Sequence, residues 1–131
     1  MWKHIFKRRK KFFKMSNPRR GEIWIVDWSP GRGSEQEGTR PSLILQSDKG
    51  NLNNRYRNTI VLAITTKGKY IPLHTKILKS DENGLMEDSY IKCEQIFTIS
   101  KRRLIKRLGR IDNNKINEIE SGVKMVLDFS K

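Results

Sequence analysis

Cysteine is the scarcest useful residue: the 131-residue chain has one, Cys93. A lone thiol excludes an intrachain disulfide and a cysteine-rich zinc site. It suits a reducing compartment, so a cytoplasmic location is expected. Histidine is nearly as rare, with His4 near the start and His74 in the body. Two-histidine acid–base chemistry therefore cannot be built within the body of one protomer. No stretch approaches the roughly 20 consecutive apolar residues that span a bilayer. The sequence holds no H-E-x-x-H and no tight cluster of Asp, Glu and His, so no metal is expected. It also lacks a phosphate-cradling G-x-x-x-x-G-K and a G-x-S-x-G elbow. No cofactor of any kind is expected.

Positive charge is abundant instead. The net charge is +14, and residues 1–20 supply nine Lys or Arg with no acid. The other 111 residues hold 19 basic and 14 acidic side chains, so the body is basic in its own right. Such a field draws polyanions, nucleic acid first. An anionic membrane is the competing partner for the basic head. Residues 1–18 read as an extension. Trp2, Ile5, Phe6 and Phe13 fall on one face if the segment is helical; a disordered basic tail is the plainer alternative. No continuous apolar stretch follows the positive start, so it does not read as a secretory signal. Translation from Met15 would remove most of it. Residues 19–131 are expected to form one domain.

From Gly21 onward the pattern is mainly β. Glu22 to Trp28 is rich in β-branched and aromatic residues and predicts a buried strand. Further strands are predicted at Pro41 to Gln46, Thr59 to Thr65, and Ile71 to Leu78, the last an edge strand because of Pro72. Ser89 to Ile99 predicts one or two more, and Lys106 to Ile111 a last one. Asp48 to Asn58 reads as a polar, basic loop holding Arg55 and Arg57. Ser100 is placed to cap a short helical turn. Asp112 is placed to cap a C-terminal helix, with Ile116, Ile119, Val123, Val126 and Leu127 at helical spacing. The expected fold is mainly β (α+β): a small partial barrel of five to seven strands with a C-terminal helix.

One loop stands out chemically. Gly33-Ser34-Glu35-Gln36-Glu37-Gly38-Thr39-Arg40-Pro41 is polar, flanked by glycine, and ends in an arginine just before a buried strand. Pro41 biases Arg40 toward extended backbone, which holds it at a strand mouth. A guanidinium there can grip a phosphate through two parallel hydrogen bonds. It can equally pair with Glu35, Glu37 or another acid to tie the loop down.

The same stretch carries a resemblance. Gly21-Glu22-Ile23-Trp24, Asp27, Pro30, Gly33-Ser34-Glu35-Gln36, Gly38 and Arg40-Pro41 resemble the amino-terminal signature of the MazF/PemK toxin family. Ala63-Ile64-Thr65, Asp88-Ser89, Cys93-Glu94-Gln95-Ile96, Thr98-Ile99 and Arg103-Leu104 resemble later family segments in the right order. The likeness runs from about Arg19 to the C-terminal helix, with Asp48 to Thr59 slightly long. It implies an SH3-like barrel, a homodimer, and a metal-independent endoribonuclease that cuts single-stranded RNA at short sequence motifs. It also implies a cognate antitoxin as partner. Arg40 and Thr65 then match the family's key pair, with Arg40 on the non-bridging phosphate oxygens and Thr65 donating one more bond. Ser34, Glu35, Gln36 and Thr66 are expected to shape the RNA groove. His74 matches a histidine of the family's fourth strand, placed either to stack on a base or simply to pack, and Glu94 is read either as a proton carrier or as an acid that braces the fold. Two other readings use the same barrel: a non-catalytic toxin that binds DNA gyrase, and a non-catalytic RNA-binding barrel.

Overall fold

The computed structural model describes residues 17–29 and 38–129. Six strands form within them: β1 (Glu22–Asp27), β2 (Thr39–Ile44), β3 (Asn58–Thr65), β4 (His74–Ile77), β5 (Ser89–Ser100) and β6 (Leu104–Arg110). They make one antiparallel sheet in the order β4-β5-β3-β2-β1-β6. Because β4 and β6 stay at its two edges, the barrel is partial, not closed. A one-turn helix, α1 (Asp48–Asn51), joins β2 to β3, a 3-10 turn (Lys101–Arg103) joins β5 to β6, and α2 (Asn113–Leu127) follows β6. The expected mainly-β fold with a C-terminal helix is the fold observed.

The differences from expectation are local. Four strand residues are formed where eight were expected around Pro72. The chain before His74 is turned instead, with the His74 amide donating to the Ile71 carbonyl at 3.0 Å. The Asp48 to Asn58 segment is not all loop, because Leu52 N–H reaches the Asp48 carbonyl at 2.8 Å and closes α1. The last strand starts at Leu104, two residues earlier than its β pattern suggested.

Strict alternation divides the sheet into two faces. Ile23, Leu43, Leu62, Ile64, Ile91 and Cys93 point to one face, where Ile119 of α2 covers them. Trp24, Val26, Trp28, Ile44, Val61, Ile99 and Leu104 point to the other and pack together with Phe97. The Trp28 and Phe97 rings meet edge to face at 4.9 Å. Two long strands make this bend possible. Adjacent β3 residues Leu62 and Ala63 pair with Ile96 and Lys92 of β5, so Cys93, Glu94 and Gln95 form a bulge between them. Bulges sharpen twist and re-aim side chains.

Asp112 caps α2 as expected, its carboxylate accepting from Asn114 N–H at 3.4 Å. Gly122 costs the helix about 1 kcal/mol relative to alanine. Its value is in packing: a Cβ there would lie 2.7 Å from Cys93 Sγ. The glycine is what lets α2 settle against β5.

Candidate active site

Register brings the site together. β2 and β3 pair Ser42 with Ala63, Leu43 with Leu62 and Ile44 with Val61. The ladder ends at the Ser42–Ala63 pair, with Arg40 two residues beyond it on β2 and Thr65 two residues beyond it on β3. Thr65 pairs in turn with Tyr90 on β5, and Tyr90 with Lys76 on β4. The next row along runs Trp24, Ser42, Ala63, Lys92 and His74. All of these side chains share the tryptophan face by alternation. That face is apolar at one end, with Val61 and Ile99, and becomes polar and cationic at the other. Paired strands lie about 4.8 Å apart, which sets Tyr90 directly beside Thr65.

Arg40 is exposed on β2, opposite Val26. It is not a buried structural cation. Thr65 is half-buried at the end of β3, and its Oγ1 accepts the Lys67 amide at 3.1 Å. Accepting leaves the hydroxyl proton available to a ligand. Thr66, next in the chain, is exposed. Ser34, Glu35 and Gln36 lie outside the described residues. The chain leading toward them is anchored, though. Arg103 NH1 donates to the carbonyls of Asp27 at 3.0 Å and Ser29 at 2.9 Å, and Trp28 N–H donates to Gly38 O at 2.8 Å.

His74 is fixed from both sides. Its Nδ1 accepts the Lys69 amide at 3.0 Å, and its Nε2 lies 2.8 Å from Glu94 Oε2. An acceptor at Nδ1 places the neutral ring's proton on Nε2, aimed at the carboxylate. The side chain is only 6% exposed. It offers little ring face to a base, so stacking, one of its two expected roles, does not fit this geometry. The ring instead ties the segment after Thr65 to Glu94. Burial pushes the Glu94 carboxyl up, but the His74 bond, its own amide and the Lys92 charge outweigh it, and the group sits below the usual carboxylate range. A carboxylate with that bias is a poor proton carrier at neutral pH.

Two residues at this end, Tyr90 and Lys76, carried no signal in the sequence, whereas Lys92 matches a basic position of the family motif two residues before Glu94. Tyr90 fills the place beside Thr65, and only a glycine at position 68 admits its ring, since a Cβ there would fall 2.1 Å from Tyr90 Cγ. Lys76 places its ammonium 6.0 Å from the Tyr90 ring centroid. Lys92 adds a further cation in the neighbouring row. Nothing short of the register would have put them next to Thr65. Among the described residues no group of three or more His, Cys, Asp or Glu side chains is placed to hold a metal ion. No described helix is long and apolar enough to cross a membrane.

A bent sheet gathers arginine, lysines, a hydroxyl and an aromatic ring at one end, a set of side chains with the chemistry to bind a polyanion. Comparison with known proteins narrows this. Residues 19–127 match the family described as PemK-like, MazF-like toxin of type II toxin-antitoxin system. The chain belongs to that family. An Endoribonuclease MazF of Staphylococcus epidermidis is 38% identical over 115 residues, covering 86% of this chain and 92% of the relative. One from Staphylococcus saprophyticus is 40% identical over 113 residues, covering 83% and 90%. The fold is similar to crystalline MazF from Deinococcus radiodurans, with a TM-score of 0.73, 18% identity, and coverage of 87% of this chain and 99% of that one. It is also similar to a mycobacterial endoribonuclease solved in complex with its cognate antitoxin, with a TM-score of 0.71, 22% identity, and coverage of 87% and 98%.

Proposed function

We infer that this chain is the toxin of a type II toxin–antitoxin system and acts as an endoribonuclease on single-stranded RNA. One observation carries the chemistry: Arg40 on β2 and Thr65 on β3 each lie two residues past the last β2–β3 pair, Ser42 with Ala63, on the same face of the sheet. The 2′-oxygen of the RNA bonds to the adjacent phosphorus while the P–O5′ bond breaks. The 2′ proton leaves to water and the 5′ oxygen takes one back, giving a 2′,3′-cyclic phosphate and a 5′-hydroxyl. Such a reaction asks the protein to hold geometry and to stabilise a dianionic phosphorane. Arg40 grips its non-bridging oxygens, and Thr65 donates a further bond. Arg40 is not the proton carrier, because a guanidinium does not deprotonate in this pH range.

Ser34, Glu35, Gln36 and Thr66 are assigned to binding the RNA strand. Glu94 is assigned there as well, oriented by His74 and neutralising Lys92. The protein works in the cytoplasm as a homodimer, and a cognate antitoxin covers the groove. Relatives named as endoribonucleases and a neighbour solved with its antitoxin support this reading. The test is cleavage of a long RNA in excess EDTA, with the new ends analysed chemically. Cyclic-phosphate and 5′-hydroxyl ends are expected. Ends bearing 5′-phosphate, or no cutting without added metal, would overturn the mechanism.

A further inference from the structure

The opposite end of the sheet holds an unusual piece of construction. Lys101 is 6% exposed, and its ammonium donates to three main-chain carbonyls: Gly50 at 3.2 Å, Asn51 at 2.9 Å and Asn53 at 3.2 Å. Burial pulls its pKa down. Asn51 is fully buried beneath the same turn. Its amide nitrogen donates to the Gln46 carbonyl and to Asp48, and its amide oxygen accepts from Thr59 Oγ1 at 2.8 Å and from Gln46 Nε2. A buried charge and a buried amide are costly unless fully bonded. Here both serve to fix one surface turn.

That turn displays Arg55, Tyr56 and Arg57, all exposed. The Asn53 side chain accepts from Arg55 N–H at 3.0 Å, and its carbonyl accepts from Tyr56 N–H at 3.0 Å. Arg57's carbonyl takes the Lys101 amide, which brings exposed Arg102 alongside. No acidic residue lies between positions 49 and 80. The tip of the turn also touches the start of the described chain, where Asn17 donates to Asn54 at 3.2 Å. The 16 residues before Asn17 include seven Lys or Arg and no acid. The turn thus meets the residue at which the basic head joins the described chain.

We propose that the Arg55-Tyr56-Arg57 turn is a second binding surface for single-stranded RNA, remote from the cleavage pair; the proposal rests on the endoribonuclease reading. Two arginines around an aromatic ring suit a flexible nucleic-acid strand, which offers phosphates and unstacked bases together. An anionic membrane offers charge but no ring to stack on the tyrosine. β3 separates the turn from Thr65 by seven residue steps, or about 23 Å. A short substrate filling the cleavage groove does not reach it. A long RNA does, and is held there while its cut motif is sampled.

The experiment compares wild-type protein with the R55A/Y56A/R57A variant. Cut sites are first mapped on a long RNA. A short RNA of about six nucleotides and a long one of about forty are then made around one cut motif. Versions with a 2′-deoxy nucleotide at the cut serve for affinity. The variant is expected to cleave the short RNA like wild type, which also shows that it is folded. It is expected to bind the long RNA about tenfold more weakly, with a log–log salt slope about 1.4 shallower for two lost phosphate contacts. Unchanged long-RNA affinity and slope would overturn the proposal. So would an equal loss on both lengths, or lost binding to phosphatidylserine vesicles with RNA binding intact. The affinity measurement needs no cleavage. It can be run on any single-stranded RNA of about forty nucleotides, so a wild-type protein that cuts no RNA sinks the nuclease reading separately from the second surface.

Discussion

The two ends of strand β3 solve opposite problems. At the Thr65 end, polar groups face outward: Arg40 is exposed, and the Thr65 hydroxyl accepts one bond while keeping its proton. At the Asn58 end, polar groups turn inward and are consumed by the fold, as Lys101 and Asn51 are. The same residue types thus serve ligand binding at one end and scaffolding at the other. Burial and bonding, not identity, decide which. A lysine bonded to three carbonyls is structural; an exposed arginine on a strand is, on the proposed reading, chemical.

This contrast yields predictions that separate activity from stability. The largest effect is expected for Arg40→Ala, which should lower kcat/KM on a short RNA about 10³-fold, by loss of phosphorane stabilisation. Its melting temperature should stay within a degree or two of wild type. If the variant melts early, Arg40 belongs with the scaffold and the contrast fails. Lys101→Met should do the reverse. Leaving three carbonyls without their charged donor should cost about 3 kcal/mol in urea unfolding. The folded fraction should still cleave short RNA at the wild-type rate.

Thr65→Val is intermediate. It keeps the shape and removes the hydroxyl, so kcat should fall about tenfold to a hundredfold with KM nearly constant. A change in KM alone would make Thr65 a groove wall and not a participant. The smallest effect concerns pH at the scaffold end. Arg20's amide bonds to the Asp48 carboxylate at 2.7 Å and is the main reason its pKa lies below 3.8, against the opposing pull of burial. A carboxylate depressed by folding stabilises the protein above its unfolded pKa and loses that contribution as pH falls through the folded value. Wild-type thermal stability should therefore decline below about pH 4, and Asp48→Asn should flatten part of that decline. Cleavage of short RNA at neutral pH should not distinguish the two proteins.

What could be read beforehand follows the same division. Strands were legible because β-branched runs such as Thr59 to Thr65 mark themselves. Arg40 was legible because Pro41 fixes the strand mouth beside it. Thr65 became visible through family resemblance, since a threonine ending a strand carries no chemical mark. Tyr90 and Lys76 were invisible. Their importance lies in which strand residue they pair with, and the bulge at residues 93–95 shifts that register in a way no local pattern shows. Lys101 sits in a run of cations, Lys101-Arg102-Arg103, that reads as solvated surface, yet it alone turns inward. His74 read as either a stacking ring or a packed one and proved to be a strut, because both its nitrogens are taken by groups distant in sequence. Gly122 looked like a helix defect. Its reason lies in the sulfur atom facing it across the sheet.

That contact gives the chain a built-in stopwatch. Cys93 is the sole thiol, fully enclosed, with its pKa raised first by burial and its sulfur 3.7 Å from the Ile119 carbonyl on α2. A thiol reagent reaches it only in molecules whose terminal helix has peeled away. Labelling rates on the unmodified protein therefore time that detachment directly, before any engineered probe is introduced.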